Sequence, residues 1–198
     1  VHFLCARALQ SIGWLSNLPT AQGDFMSDAS TDNVQEFIDR QAIQQVMMRY
    51  CHGVDRCDLE VLQGSFWEDG ACDYGSGEIN AMEWAVGTHA GISTMVRTFH
   101  SISNSWIEVD GDTATSETYC TAYHVIPGED GTLTDMIVGG RYLDHHEKRG
   151  NEWRIKHRLY VMDWNQNVPN TDERTDGMLG GLNTGSRKPE DQYYSFMA

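Results

Sequence analysis

Basic residues are scarce in this 198-residue chain: 14 Lys and Arg stand against 29 Asp and Glu, for a net charge of −15. A surface of that sign repels phosphate backbones and anionic membranes, and no Lys/Arg cluster offers a local exception, so nucleic acid is not expected as a partner. No apolar run reaches membrane-spanning length, so no membrane helix is expected either. The five cysteines (Cys5, Cys51, Cys57, Cys72, Cys120) contain no C-x-x-C pair. Their odd number and wide spacing speak against a disulfide framework or a zinc ribbon and fit a reducing, cytoplasmic setting. No N-x-S/T acceptor site occurs. The Gly-rich run Gly180–Gly185 lacks the Lys-Ser/Thr of a phosphate loop and has no strand before it. Asp144, His145, His146 and Glu147 have the right chemistry for a metal, but neighbours on a strand point to opposite faces and cannot converge as ligands. No metal and no organic cofactor are expected.

What is present is ordinary globular composition, 40% hydrophobic and 22% charged, in a length suited to one domain. The first 25 residues read either as a poor secretory signal, its apolar stretch broken by Gln10, Ser11 and Gly13, or as a leader preceding a natural start at Met26. Residues 1–31 are therefore set apart as a leader or flexible segment. From about Asp32 to Asp55 apolar residues recur at helical spacing, with Thr31 or Asp32 as cap. On that wheel Ile43, Val46, Met47, Tyr50 and Val54 share one stripe, with Asp55 at its edge. A second short helix is predicted after Asp58, with Leu59, Leu62, Phe66 and Trp67 on one side and Gly70 at its end. Residues 71–74 read as a short strand, and 81–98 as a third helix interrupted by Gly87 and Gly91. After His100 the period becomes two, giving strands over 100–109, 114–126, 135–147 and 152–164, joined by turns rich in Gly and Asp. Helices followed by an antiparallel meander describe an α+β fold. From residue 165 the chain turns polar and Gly-rich, a tail that nonetheless ends in Tyr193, Tyr194, Phe196 and Met197. Such an end is expected to dock over its own pocket or on a neighbouring subunit.

Strand alternation puts His100, Ile102, Asn104 and Trp106 on one face. Asp55 ends a helix that must pack on this sheet, and a His whose Nδ1–H meets a carboxylate is held in one tautomer with its imidazolium stabilised. On the last strand Trp153, Ile155, His157, Leu159 and Val161 share one face, and Arg158, Tyr160, Met162 and Trp164 the other. Alternation alone leaves open which face lines a pocket, since a bulge reverses part of it.

The runs DRQAIQQVMMRYCHGVDRCD, SFWEDGA, FHSISNSWIEVDGDTA, GGRYLDHHEKRGNEWRIKHR and VMDW resemble, in this order, the SnoaL-like branch of the nuclear transport factor two-like superfamily. That branch includes scytalone dehydratase, hexachlorocyclohexane dehydrochlorinase and the bile-acid dehydratase. The resemblance covers roughly residues 33–164. It implies a cone-shaped, curved antiparallel sheet closed by N-terminal helices around a pocket. It also implies a His–Asp dyad that removes a substrate proton without a cofactor. His100 and Asp55 match the dyad. Tyr50 matches a position held by Tyr or Lys, and Arg158 an Arg that assists the leaving group or the developing anion.

The reading that follows is a cofactor-independent lyase, a dehydratase in first place, acting on a hydrophobic aromatic or alicyclic small molecule. His100, Asp55, Tyr50 and Arg158 are its candidate catalytic residues. Asn104, Trp67, Trp84, Phe99, Trp106, Tyr119 and Tyr123 are its candidate substrate contacts. A formaldehyde-releasing lyase on an aryl-propanoid diol, a ketosteroid-type isomerase and a non-enzymatic binding module remain alternatives. The uncovered face of such a sheet, and the habit of the superfamily, lead to an expected homo-oligomer, a dimer or trimer.

Overall fold

The structure, a computed structural model, describes residues 29–175 and 177–198; the leader reading lies almost wholly outside the described residues. By its contacts the chain divides into a unit ending at Val34 and a body from Gln35 to Ala198, and the architecture below is that of the body. The elements in order are α1 (Ala29–Asp55), α2 (Leu59–Gln63), β1 (Phe66–Asp73), β2 (Glu78–Asn80), α3 (Ala81–Ser93), β3 (Arg97–Asp110), β4 (Thr113–Pro127), β5 (Leu133–Arg149), β6 (Glu152–Pro169) and α4 (Gln192–Phe196). The strands form one six-stranded sheet in the order β2-β1-β6-β5-β4-β3. It is curved and unclosed, an α+β cone with helices at its N-terminal side, as expected. No helix among the described residues is long and apolar enough to cross a membrane.

Strands β3 to β6 form the antiparallel meander. Strand β1 differs: it lies parallel to β6, with Ala71, Cys72 and Asp73 opposite His157, Arg158 and Leu159. The predicted second helix stops early, because Ser65 already offers its carbonyl to the Ile155 N–H and draws Phe66 and Trp67 into the sheet. The spacing of Leu62 and Phe66 fits a helix as well as a helix-then-strand, so period alone misplaces that boundary. The third helix likewise ends at Ser93, where the Val96 N–H takes the Val125 carbonyl and starts β3. Strand β6 runs on to Pro169, paired with Thr134, through a polar exposed stretch that carries no alternation to read. The tail therefore begins five residues later than its composition suggests.

On α1 the stripe Ile43, Val46, Met47, Tyr50 and Val54 is fully buried and shares one cluster with Ile107, Ala114, Tyr142, Trp153 and Ile155 of the sheet. Each such side chain contributes about 1.5–3 kcal/mol by leaving water. One helical turn earlier the inward position belongs to Asp39, which accepts hydrogen bonds from Trp153 Nε1 at 2.7 Å and Lys148 Nζ at 2.9 Å. Phe37 and Ile38 lie off that face and stay exposed. Gly53 permits the tight corner between α1 and α2, since a Cβ there would meet the Leu62 backbone nitrogen at 2.6 Å.

The tail returns to this corner. The Lys188 N–H donates to the Arg56 carbonyl, Lys188 and the Tyr194 hydroxyl reach the Asp58 carboxylate at 2.9 Å, and Arg56 pairs with Asp191 at 2.9 Å. Tyr193 packs on His52, with ring centroids 4.5 Å apart.

Candidate active site

Asp55 is the last residue of α1, and β3 carries His100 past it. The Asp55 carboxylate accepts twice from that residue: Oδ1 from the ring Nδ1 at 2.8 Å and Oδ2 from the backbone N–H at 2.7 Å. Both side chains are buried. With Nδ1 committed to a carboxylate it is the protonated nitrogen, and Nε2 is left as the basic one. Burial alone would push the Asp55 carboxyl up, but the hydrogen bonds and charge of His100 outweigh it and hold the group below its ordinary range.

His100 lines a cavity of about 300 Å³ together with Tyr50, Tyr74, Trp84, His124, Tyr142 and Tyr160. Tyr50 and Tyr74 share a hydrogen bond between their hydroxyls at 3.0 Å. Tyr74 is stacked between Trp84 and Tyr160, at 4.7 and 5.0 Å between centroids. Burial pushes both phenols of the pair upward, so they act as neutral donors. His124 stands edge-on to His100, 5.4 Å between centroids, and its Nδ1 is buried without a partner among the described residues. Burial, and then the charge of His100, bring its pKa down to about 4, so it is neutral at neutral pH. Thiol chemistry is not on offer here: burial pushes Cys51 and Cys72 up to about 12. No cluster able to hold a metal occurs among the described residues.

Arg158 is fully buried but does not line this cavity. Its Nε and Nη2 clasp the Asp144 carboxylate at 2.7 and 2.8 Å, and its guanidinium lies 4.1 Å over the Tyr50 ring and 4.0 Å over that of Tyr142. Burial works against this charge, and Asp144 more than restores it. Arg158 thus sits behind the phenols and packs on their rings, its Nη1 without a partner among the described residues. His157, its neighbour, faces outward near Glu78. A bulge decides this: opposite His145 and His146 stand His157 and Ile155, so Lys156 is the extra residue and both Ile155 and Arg158 point inward.

A second bulge corrects the expected contacts on β3. The register shifts between Ile102 and Ser105, which turns Asn104 and Trp106 outward and brings Ser105 and Ile107 inward. Asn104 is exposed and Trp106 is 70% exposed, so neither joins His100. Tyr119 is on the outer face as well. Trp67 lies outside the cavity, its Nε1 donating to the Glu147 carbonyl and its ring under Arg149 and Arg154. Phe99 and Tyr123 line a neighbouring cavity instead. Of the seven expected contacts only Trp84 lines the cavity with His100. Tyr74, Tyr142, Tyr160 and His124 were not among the candidates. The signal for His124 is the period-two row Ala114, Ser116, Thr118, Cys120, Ala122 and His124, small residues on the inner face of β4 ending in one large polar ring.

The pattern of the SnoaL-like domain matches residues 35–159, well over half of the chain. The chain belongs to the SnoaL-like domain family. An uncharacterized protein of Mycobacterium tuberculosis is 28% identical over 142 residues, covering 67% of this chain and 90% of the relative. Among solved structures, a candidate scytalone dehydratase of Novosphingobium aromaticivorans superposes with a TM-score of 0.61 at 22% identity, over 80% of this chain and 98% of that one. A hexachlorocyclohexane dehydrochlorinase gives 0.61 at 18% identity, over 76% and 99%. These two likenesses establish the shared SnoaL-like fold.

Proposed function

We propose that this SnoaL-like protein is a cofactor-independent lyase that eliminates water from a hydrophobic aromatic or alicyclic small molecule. The observation that carries the reading is the His100–Asp55 pair, buried at the wall of a cavity lined by aromatic rings and aliphatic side chains. His100 Nε2 takes a proton from the carbon next to the one bearing the hydroxyl. The C–H electron pair becomes the new double bond, the C–O bond breaks, and the departing oxygen leaves as water with that proton. Asp55 orients the imidazole and balances the charge it gains. Tyr50 and Tyr74 donate to the departing oxygen, where donors placed in advance matter most. His124, neutral, is a further hydrogen-bonding group for the substrate. Arg158 is a positioning residue that holds Tyr50 and Tyr142.

Several features favour this reading over its rivals. An isomerase of the ketosteroid kind needs a carboxylate free to take a proton, and both oxygens of Asp55 are engaged by His100. A pure binding module has no use for an oriented base. The fold neighbours include a dehydrochlorinase and a candidate dehydratase, both of elimination type. The protein works as a cytoplasmic homo-oligomer on this reading. The test is incubation with a panel of hydroxylated aromatic and alicyclic compounds, followed by mass spectrometry. Loss of water that disappears in His100→Ala supports the proposal. Loss of formaldehyde would move the activity to diol cleavage, and turnover surviving in His100→Ala would overturn the dyad.

A further inference from the structure

A second cavity, of about 540 Å³, adjoins the dyad at Asp55 but is lined by neither His100 nor Tyr50, Tyr74 or Tyr142. Four arginines line it: Arg56 from the α1–α2 corner, Arg97 from the start of β3, and Arg174 and Arg187 from the C-terminal tail. In a chain of net charge −15 such a convergence runs against composition. Asp55 is the sole carboxylate among its lining residues, and His100 occupies both of its oxygens.

The cations are incompletely answered. Arg56 pairs with Asp191 and Arg97 with Asp172. Arg174 and Arg187 have no carboxylate partner among the described residues: Arg174 donates to the Gly185 carbonyl at 2.7 Å, and Arg187 to the Met95 carbonyl at 3.1 Å and to Cys57 Sγ. Arg97 Nε is buried without a partner among the described residues. Burial, and then the positive charge of Arg174, pull Arg97 below its ordinary range. Thr98 and Ser186 add polar atoms to the remaining wall, and Val96, Phe99 and Tyr123 supply its apolar part. Val96 and Phe99 stay exposed there, and Tyr123, its hydroxyl donated to Asp135 at 2.9 Å, lends its ring.

Guanidinium groups in a fork geometry match a carboxylate, and an apolar wall matches a carbon skeleton. We propose that this cavity is a binding site for an organic carboxylate with an apolar body, completed by the C-terminal tail. The tail then has a task that its composition does not announce: it carries Arg174 and Arg187 into place. The site is independent of the elimination chemistry, and its failure would leave that reading untouched.

Calorimetric titration of the full chain with 3-phenylpropanoate, 3-phenylpropanol and inorganic phosphate, at one ionic strength, tests it. The acid is expected to bind at least about tenfold more tightly than the alcohol or phosphate. Arg97→Gln and Arg174→Gln should each weaken the acid by about tenfold or more. Arg174 is a tail residue outside the core, so its substitution leaves folding intact, and an acid bound in the aromatic cavity instead would be blind to it. Equal binding of acid and alcohol, phosphate binding as tightly as the acid, or an unchanged affinity in Arg174→Gln would each overturn the proposal.

Discussion

His100 is held by two bonds from one carboxylate, and that arrangement makes its contribution separable by mutation. His100→Ala removes the base and is expected to lower kcat by at least about a thousandfold with an unchanged circular dichroism spectrum. Asp55→Asn keeps the size but loses the charge and can favour the wrong tautomer, a loss of about 10²–10⁴ in kcat, read from steady-state kinetics. The neighbouring His124 makes a different prediction, about stability. Its folded pKa of about 4 lies below the ordinary 6.5. The unfolded chain therefore takes up a proton, as pH falls from 6.5 to 4, that the folded chain refuses. The stability linked to it is complete above pH 6.5 and drains away through that window. His146, likewise buried and brought to about 4, adds in the same direction. Each is worth on the order of 2 kcal/mol. Urea midpoints should fall between pH 7 and pH 4.5, and His124→Gln should make that fall shallower. A fall of equal size in His124→Gln would locate the proton uptake elsewhere.

At the scale of elements, what the sequence could show depended on whether a bulge intervened. The stripe on α1, the start of the second helix at Asp58 and the period-two row of β4 are regular, and periodicity reads them without help. The pairing of Asp55 with a His on the first long strand was legible for the same reason: Asp55 ends a regular helix and His100 precedes the β3 bulge. Asn104 lies in the β3 bulge and Trp106 beyond it, and a slip of one residue reverses every side chain after it. Tyr160 is inward only because Lys156 is extra. Bulges carry no local sequence sign here, although Gly140 marks the neighbourhood of one, since a Cβ there would stand 2.6 Å from the Tyr160 hydroxyl. Arg158 shows what such a shift does to a charge. Predicted as a donor to the ligand, it lies instead clasped by Asp144 beneath two tyrosine rings. Arg158→Met strands the buried Asp144 carboxylate and should cost about 3–5 kcal/mol in urea unfolding. The double variant Arg158→Met with Asp144→Leu should recover most of it. A double variant no more stable than the single one would mean that packing on the rings, not the ion pair, is what Arg158 supplies.

At the scale of the molecule, the inner face of the sheet is closed by α1 and by the aromatic cavity, and the tail occupies the α1–α2 corner. The outer face is left. Trp106 on β3, Tyr119 on β4, and Leu159 and Trp164 on β6 all point to it and are 70%, 45%, 39% and 50% exposed. The alternation that buries Cys120, Tyr142 and Arg158 on one side puts these four on the other. Scattered exposed apolar residues need no explanation, but large rings on three strands of one antiparallel face do, because such a face is ordinarily solvated or covered. Charge surrounds them rather than replacing them: Arg141 bridges Glu117 and Asp163 on the same side, a polar border of the kind that rims interfaces. A second copy of the chain would supply a matching apolar surface, and a homo-oligomer through this face is the expected outcome. Light scattering at micromolar concentration should give the mass of a dimer or trimer. Trp106→Glu combined with Tyr119→Glu should yield monomers with an unchanged circular dichroism spectrum, since neither ring contributes to the buried cluster. A wild-type monomer, or an oligomer indifferent to both substitutions, would assign the outer face to solvent or the assembly to another surface.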